Sequence, residues 1–404
     1  MNNAVLFILT PLVIIFSSAV FADIPSENIS KSVNEYRTHY LYRAQLGETP
    51  ESIAFDFLKD AADKTKRQQF YTYNHIAANY TAKTVQLNQV FYLPLDWMYL
   101  KPVNAVILRT KGSVQVIHQN TQLPLSVIPE GSTIKTSKNS FALIEFPDRS
   151  LLTISPDSEV LLTTVRRYAK SDVFNIHINI EQGRAESQVK PLRHPSSDYT
   201  VKSKRLSTAV RGTRFSVSDV ITDYATTEVL EGGVKLNAIS DQDSLMLVSK
   251  GLGVYTKDSK APILTALLPA PQWACTKVEG IAIDQPLPII VNQQTHLFKL
   301  NIYSESSTDI PLNIEQLNMM IPDIQTLTTQ PILPTELSEG IYTVQISAVD
   351  QYGLQGFNSV QRLSIESKLP TTPTWLYWIK NNQTQSWVLR PLPNTHFKQF
   401  FCLN

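Results

Sequence analysis

The chain has 404 residues, more than one ordinary core takes, so two or three domains are expected. Apolar residues make up 43%, enough to fold, while charged residues reach only 18%, below the roughly 25% usual for soluble domains. A net charge of +1, with no block of like charges, gives no electrostatic reason to expect a nucleic-acid partner.

The N-terminus reads as a secretory signal over residues 1–22. Ala4 to Phe16 is apolar apart from Thr10 and Pro11, and Val20-Phe21-Ala22 offers a cut before Asp23. The alternative is an uncleaved anchor, but the run is short for a spanning helix and Pro11 interrupts it. No cysteine follows the run, which argues against a lipoprotein anchor, and no later segment is apolar enough to span a bilayer. The expectation is a periplasmic or envelope-associated chain that is not an integral membrane protein after signal cleavage. Cys275 and Cys402 are the two cysteines, and an oxidising compartment permits their disulfide, a pairing left open here. Without a nearby histidine constellation they make a poor metal site, so no metal and no cofactor is expected.

Residues 37–97 predict a small α+β unit. Tyr42 to Gln45 reads as a strand, and Thr49 then caps a helix with Pro50 at its first position. Ile53, Ala54, Phe57, Leu58 and Ala61 recur at helical spacing. A second helix follows over Lys66–Tyr73, and Val90 to Leu93 closes as a strand before Pro94. Gly47-Glu48-Thr49, Tyr73-Asn74-His75-Ile76 and Leu87 to Pro94 together resemble the LysM domain, with its βααβ order. Pro50, Tyr73 and Asn88 depart from the usual residues of that family. The resemblance implies peptidoglycan as partner, through glycans containing N-acetylglucosamine, held in a shallow groove. Gly47, Glu48, Thr49 and Pro50 would form one wall, and the other would lie near Asn74, His75 and Ile76 or in the following loop. The alternative for Thr49 and Asn74 is that one caps a helix and the other ends one.

Residues 103–257 change to short alternating strands between close turns, such as Pro129-Glu130-Gly131 and Glu181-Gln182-Gly183. Ile176, Ile178 and Ile180 alternate with His177 and Asn179, placing His177 on the solvent side. Ala209 to Val217 carries Val210-Arg211-Gly212-Thr213 with Phe215, and Thr226 to Leu236 carries Val229, Glu231-Gly232 and Val234. With Gly131 to Thr136, Asn139 to Leu151 and Gly183 to Val189, these segments resemble the FecR domain, a β-rich periplasmic module. Arg211, Gly212, Thr213, Phe215, Glu231 and Gly232 form the signature, and Arg211 is expected to tie neighbouring strands or loops. The basic run Lys202-Ser203-Lys204-Arg205 reads as a solvated strand end. Classical FecR proteins are anti-sigma regulators with a cytoplasmic segment before the membrane. Only Met1 to Asn3 precede the apolar run here, so direct sigma-factor control is not expected.

After the linker Leu267-Leu268-Pro269-Ala270-Pro271, residues 272–368 alternate again, most cleanly over Gly340–Asp350. Gly340 to Gly356 resembles the end of a fibronectin- or immunoglobulin-like β-sandwich. Residues 369–404 read as a C-terminal tail or a truncated repeat. The fold class expected is therefore multidomain and mainly β: a small α+β unit, a β-rich domain and a β-sandwich module.

Nothing in the sequence demands catalysis. There is no G-x-S-x-G elbow and no H-E-x-x-H, and the histidines are scattered. Asp148 and Asp157 sit in proline-bearing turns, where aspartate bonds its own backbone. The expected function is a non-enzymatic envelope protein that binds peptidoglycan and presents its β domains to a protein partner. Two alternatives stand beside it: a signalling module acting through a membrane receptor without glycan binding, and a peptidoglycan-modifying enzyme with an unrecognised site.

Overall fold

The computed structural model describes residues 38–365, with interruptions at 78, 80, 221–223, 258–259 and several stretches between 275 and 319, and the strands Leu376–Lys380 and Trp387–Pro391. The expected signal peptide, Cys275 and Cys402 lie outside the described residues.

Capping decides where the two N-terminal helices begin. The Ser52 amide donates to Thr49 Oγ1 at 3.1 Å and the Thr49 amide donates to Ser52 Oγ at 3.0 Å, a reciprocal capping box. Helix α1 spans Pro50–Phe57. Helix α2 spans Lys64–Tyr73 and starts two residues earlier than the hydrophobic spacing predicts, because Asp63 accepts from the Thr65 amide at 2.7 Å. Strand β1 (His39–Arg43) pairs antiparallel with β2 (Val90–Pro94). The expected strand at Tyr42–Gln45 ends at Arg43 because the Gln45 amide turns to the Glu48 carboxylate at 2.7 Å. Ile53, Ala54, Phe57, Phe70, Phe91 and Leu93 close the small core.

The central unit, from Leu100–Pro102 to Ile263–Ala266, closes into a barrel-like stack of two sheets around one apolar core. The 15-residue strand Phe174–Gln188 belongs to both sheets. Its first part pairs with Ser158–Tyr168 and runs parallel to Asp198–Lys202. Its second part lies between Leu151–Ile154 and Arg214–Asp219. Gly183, at φ +92°, is the corner between the halves, and a Cβ there would lie 2.6 Å from Ser158 Cα.

Two further corners carry the signature. Arg211-Gly212-Thr213 leads from Leu206–Val210 in one sheet to Arg214–Asp219 in the other. Gly232 leads from Tyr224–Glu231 back to Gly233–Ala238. The corners touch: Thr213 Oγ1 donates to Gly233 O at 2.9 Å, and a Cβ on Gly232 would lie 2.9 Å from Gly212 O. Glycine is required at both because both φ angles are positive and no space remains.

The C-terminal module presents a five-stranded sheet that includes Leu297–Ser304, Ile324–Thr328, Gly340–Val349 and Gln355–Ile365. Phe298, Leu300 and Ile302, with Val344 and Ile346, face its own apolar cluster. The alternating face is polar and packs on the central unit. Beyond it, Leu376–Lys380 and Trp387–Pro391 form an antiparallel pair.

Two alanine substitutions separate strain from clash. Gly183→Ala is expected to lower stability by roughly 2–4 kcal/mol, combining left-handed strain with a backbone collision. Gly47 also has a positive φ, +89°, but nothing lies within 4 Å of a Cβ there. Gly47→Ala should therefore cost only about 1–2 kcal/mol. Urea melts of both variants measure the difference.

Candidate functional site

The expected groove residues of the N-terminal unit hold the unit together. Tyr42 Oη donates to both Glu48 carboxylate oxygens at 2.8 and 2.9 Å, and the Gln45 amide adds a third donor. Burial first, then the Glu48 hydrogen bond, push the Tyr42 hydroxyl well above its usual value. Thr49 caps α1, and Pro50 is buried. Asn74 clamps the end of α2 to β2: its Nδ2 donates to Phe70 O at 3.1 Å and Tyr92 O at 3.0 Å, and its Oδ1 accepts the Tyr92 amide at 2.7 Å. His75 takes a positive φ of 55°, and Ile76 packs on the small core.

The residues bonded to the first loop are Thr81 and Val85, further along the second loop than Asn74 to Ile76. The Val85 amide donates to Glu48 O at 2.9 Å, and the Glu51 amide to Thr81 O at 3.1 Å. Next to this junction Leu46 is 84% exposed and Leu87 57% exposed. On another part of the unit His39 stacks on Tyr73 at 5.4 Å, and Trp97 meets Tyr73 edge-on at 5.7 Å.

Arg211 connects the signature corner to this unit. Its Nη2 donates to His194 O at 2.6 Å. The Ser196 amide donates to His194 Nδ1 at 3.1 Å, which leaves the proton on Nε2, 2.9 Å from His39 O. Lys170 and Asp56 form an ion pair at 2.7 Å across the same junction. Phe215 is fully buried, and Glu231 is 62% exposed, 4.0 Å from Arg214. In the basic run Lys202 and Lys204 are exposed, while Arg205 pairs with Asp219 at 2.8 Å and the Lys204 amide donates to the same carboxylate at 3.0 Å. His177, placed on the outer face, bonds Asp198 at 2.7 Å. Asp148 accepts the Ser150 amide at 2.9 Å within its own turn.

A second candidate lies between the central unit and the C-terminal sheet. Glu228 is fully buried and accepts from Ser216 Oγ at 2.7 Å, Thr226 Oγ1 at 3.1 Å, Arg184 at 3.1 Å and the Gln355 amide at 3.2 Å. Arg214 holds Glu186 at 2.7 Å. Burial pushes the Glu186 carboxyl up, but Arg214, Lys299 and Arg184 together outweigh it and leave the group below its usual range. From the other side come Lys299, Asn301 and Tyr303, with Gln345 and Gln355. Lys299 Nζ donates to Gln355 Oε1 at 3.1 Å. Removal from water, and then Arg184, lower the Lys299 ammonium to about 7. Lys299, Arg184 and Gln355 also line a larger cleft of 920 Å³.

Single-sequence reasoning did not single out Glu228, Arg184 or Lys299. Arg184 and Glu186 carried a signal, since opposite charges two apart share one face of a strand. Glu228 carried none.

Residues 132–235 match the family described as FecR protein. The chain carries a FecR domain. Two solved structures of a candidate anti-sigma factor from Parabacteroides distasonis are similar at 14% identity, with TM-scores of 0.28 and 0.27. Each match covers 33% of this chain, which spans 59% of the length of those structures. No curated protein matches the chain. Among the described residues no helix is long and apolar enough to cross a membrane, and no cluster of His, Cys, Asp and Glu could hold a metal ion.

Removing one partner of the buried pair tests its role. Arg184→Met is expected to lower stability by about 3–5 kcal/mol, because Glu228 keeps its charge without its cation. Lys299→Met should do the opposite near neutral pH. The folded chain holds the Lys299 proton less tightly than the unfolded chain, whose lysine titrates near 10.5. The resulting cost is full below about pH 7 and is relieved as pH rises toward 10.5. The gain in melting temperature of Lys299→Met over the unsubstituted protein should therefore be largest at pH 6 and fade by pH 10.

Proposed function

We propose that the chain is a non-enzymatic regulatory protein of the cell envelope, in which the FecR domain is the scaffold and the N-terminal unit reads peptidoglycan. The observation that carries the glycan reading is the junction of the two N-terminal loops. They bond to each other through Glu48, Glu51, Thr81 and Val85 and leave Leu46, Gly47 and Leu87 in solvent. An N-acetyl sugar offers a methyl group for the leucines and an amide for the loop backbone around Gly47. Glu48, Thr49 and Asn74 act as the frame of this groove, since their side chains are committed within the unit. Sugar faces also stack on aromatic rings, and the His39, Tyr73 and Trp97 group supplies them.

That same commitment favours a second reading, a signalling module that has no glycan ligand and acts through an envelope partner protein. Spare sheet edges provide the docking route for it. The strand Asp241–Ser249 carries Leu245 and Leu247 at 63% and 71% exposure.

Co-sedimentation with purified sacculi separates the two. The unsubstituted protein should pellet with peptidoglycan, and Leu46→Asp combined with Leu87→Asp should reduce the pelleted fraction at least tenfold without changing the melting temperature. Equal pelleting of both proteins would refute the loop groove, and no pelleting of either would leave the partner-protein reading.

A further inference from the structure

The cleft between the FecR domain and the C-terminal sheet has the character of a ligand site separate from the N-terminal groove. Its 920 Å³ lies at the upper end of the range for ligand pockets, roughly 300–1,000 Å³. At its floor one cation has no direct ion-pair partner among the described residues. Three cations, Arg184, Arg214 and Lys299, occupy the polar layer with Glu186 and Glu228, and Glu231 reaches Arg214 from the rim at 4.0 Å. Arg184 and Arg214 take those carboxylates. Among the described residues Lys299 makes no ion pair, and it borders the open cleft. Glu186 and Glu228 act on Lys299 only from a distance, and a ligand carboxylate in direct contact with the ammonium relieves more of the cost of taking it out of water.

The walls define the rest of the ligand. Asn139, Gln182 and Gln351 bring carboxamides, each able to donate and accept, as a peptide group requires, while Gln355 is taken by Lys299 and Asn358 and the Gln325 nitrogen by Asn301. Tyr352 stacks on Tyr255 at 3.9 Å and meets Tyr224 edge-on at 5.6 Å, giving a rigid aromatic wall. Leu297 and Leu327 add apolar surface. Of the two acids in the cleft, Asp350 already accepts the Tyr352 and Leu354 amides at 2.8 and 2.9 Å, and Asp157 shares its wall with Lys138. We propose that this cleft binds the carboxylate end of a short extended peptide, with Lys299 as its cationic anchor. The chemistry is shared by the stem peptides of the cell wall and by the C-termini of proteins.

Equilibrium dialysis of the full chain tests this with three probes: a randomised N-acetyl tetrapeptide pool of L-residues, the same pool as C-terminal amides, and soluble stem peptides from digested sacculi. The expected result is at least tenfold greater retention of acid over amide, or retention of the stem peptides, and the probe retained names the source. Lys299→Gln should abolish retention and Lys299→Arg preserve it. Leu327→Glu, at a 57% exposed wall position, should reduce retention without relying on Lys299. Stem-peptide retention that survives Lys299→Gln and Leu327→Glu but is lost in the Leu46 and Leu87 double variant belongs to the N-terminal groove and overturns the cleft proposal. Equal retention of acid and amide, or no retention of any probe, overturns it as well.

Discussion

The arrangement of the C-terminal half depends on one buried carboxylate. Glu228 sits on the outer face of the FecR domain, where a solvated sheet would carry water, and four donors replace that water. One of them, the Gln355 amide, belongs to the C-terminal sheet. Burying an ion pair gains little net stability after desolvation, but leaving it half satisfied costs several kcal/mol, on the order of 3–5. The pair therefore selects one seating of the two modules more than it holds them together. The attraction comes from beside it, where Leu230, Leu267 and Leu354 pack with Tyr255 and Phe357. Gly253 and Gly356 allow that close approach, since a Cβ on either would meet Leu267 and Leu354 or the Leu268 backbone.

The same economy explains the FecR signature. Arg211-Gly212-Thr213 and Glu231-Gly232 are two of the places where the chain passes between the sheets, and they pass side by side. A side chain at either glycine would push the corners apart. Thr213 bonds the neighbouring corner, Phe215 fills the core immediately after the turn, and Arg211 faces outward to hold the loop at His194. The signature is thus a device for closing a two-sheet unit, and it contains no arrangement that a reaction would need.

Most of the scaffold was legible in the sequence because its causes are local. Thr49, Pro50 and the spacing of Ile53, Ala54 and Phe57 locate a helix, and the period of two in Ile176, Ile178 and Ile180 locates a strand. Boundaries moved where a side chain intervened, as Asp63 does before α2 and Glu48 after β1. The interface between modules was not legible. Lys299, Asn301 and Tyr303 alternate with Phe298, Leu300 and Ile302 just as a solvent-facing row would. Polar residues that meet another polar sheet leave the same pattern as polar residues that meet water, so only three-dimensional contact reveals the difference. For the proposed groove, sequence marked the first loop and left the second wall between Asn74 to Ile76 and the loop that follows. The chain uses Asn74 to hold β2 and, in the loop that follows, brings Val85 to Glu48 and Thr81 to Glu51, an encounter between loops that no local pattern encodes.

The N-terminal unit is not a tethered reader. Arg211 holds His194, the fixed tautomer of His194 holds the backbone of β1, and Val173 from the FecR domain enters the small core. The Ala169 amide donates to Tyr99 O at 2.8 Å on the same side. A unit attached this way transmits orientation: on the proposed reading, a ligand at the loops of Leu46 and Leu87 would also fix the direction in which the FecR domain presents its cleft. A flexible linker would let each module find its ligand independently, with a coupling set by linker length. Rigid seating replaces that with a fixed distance and angle, so a ligand at one of the two proposed sites would set the reach of the other without any change of shape in between.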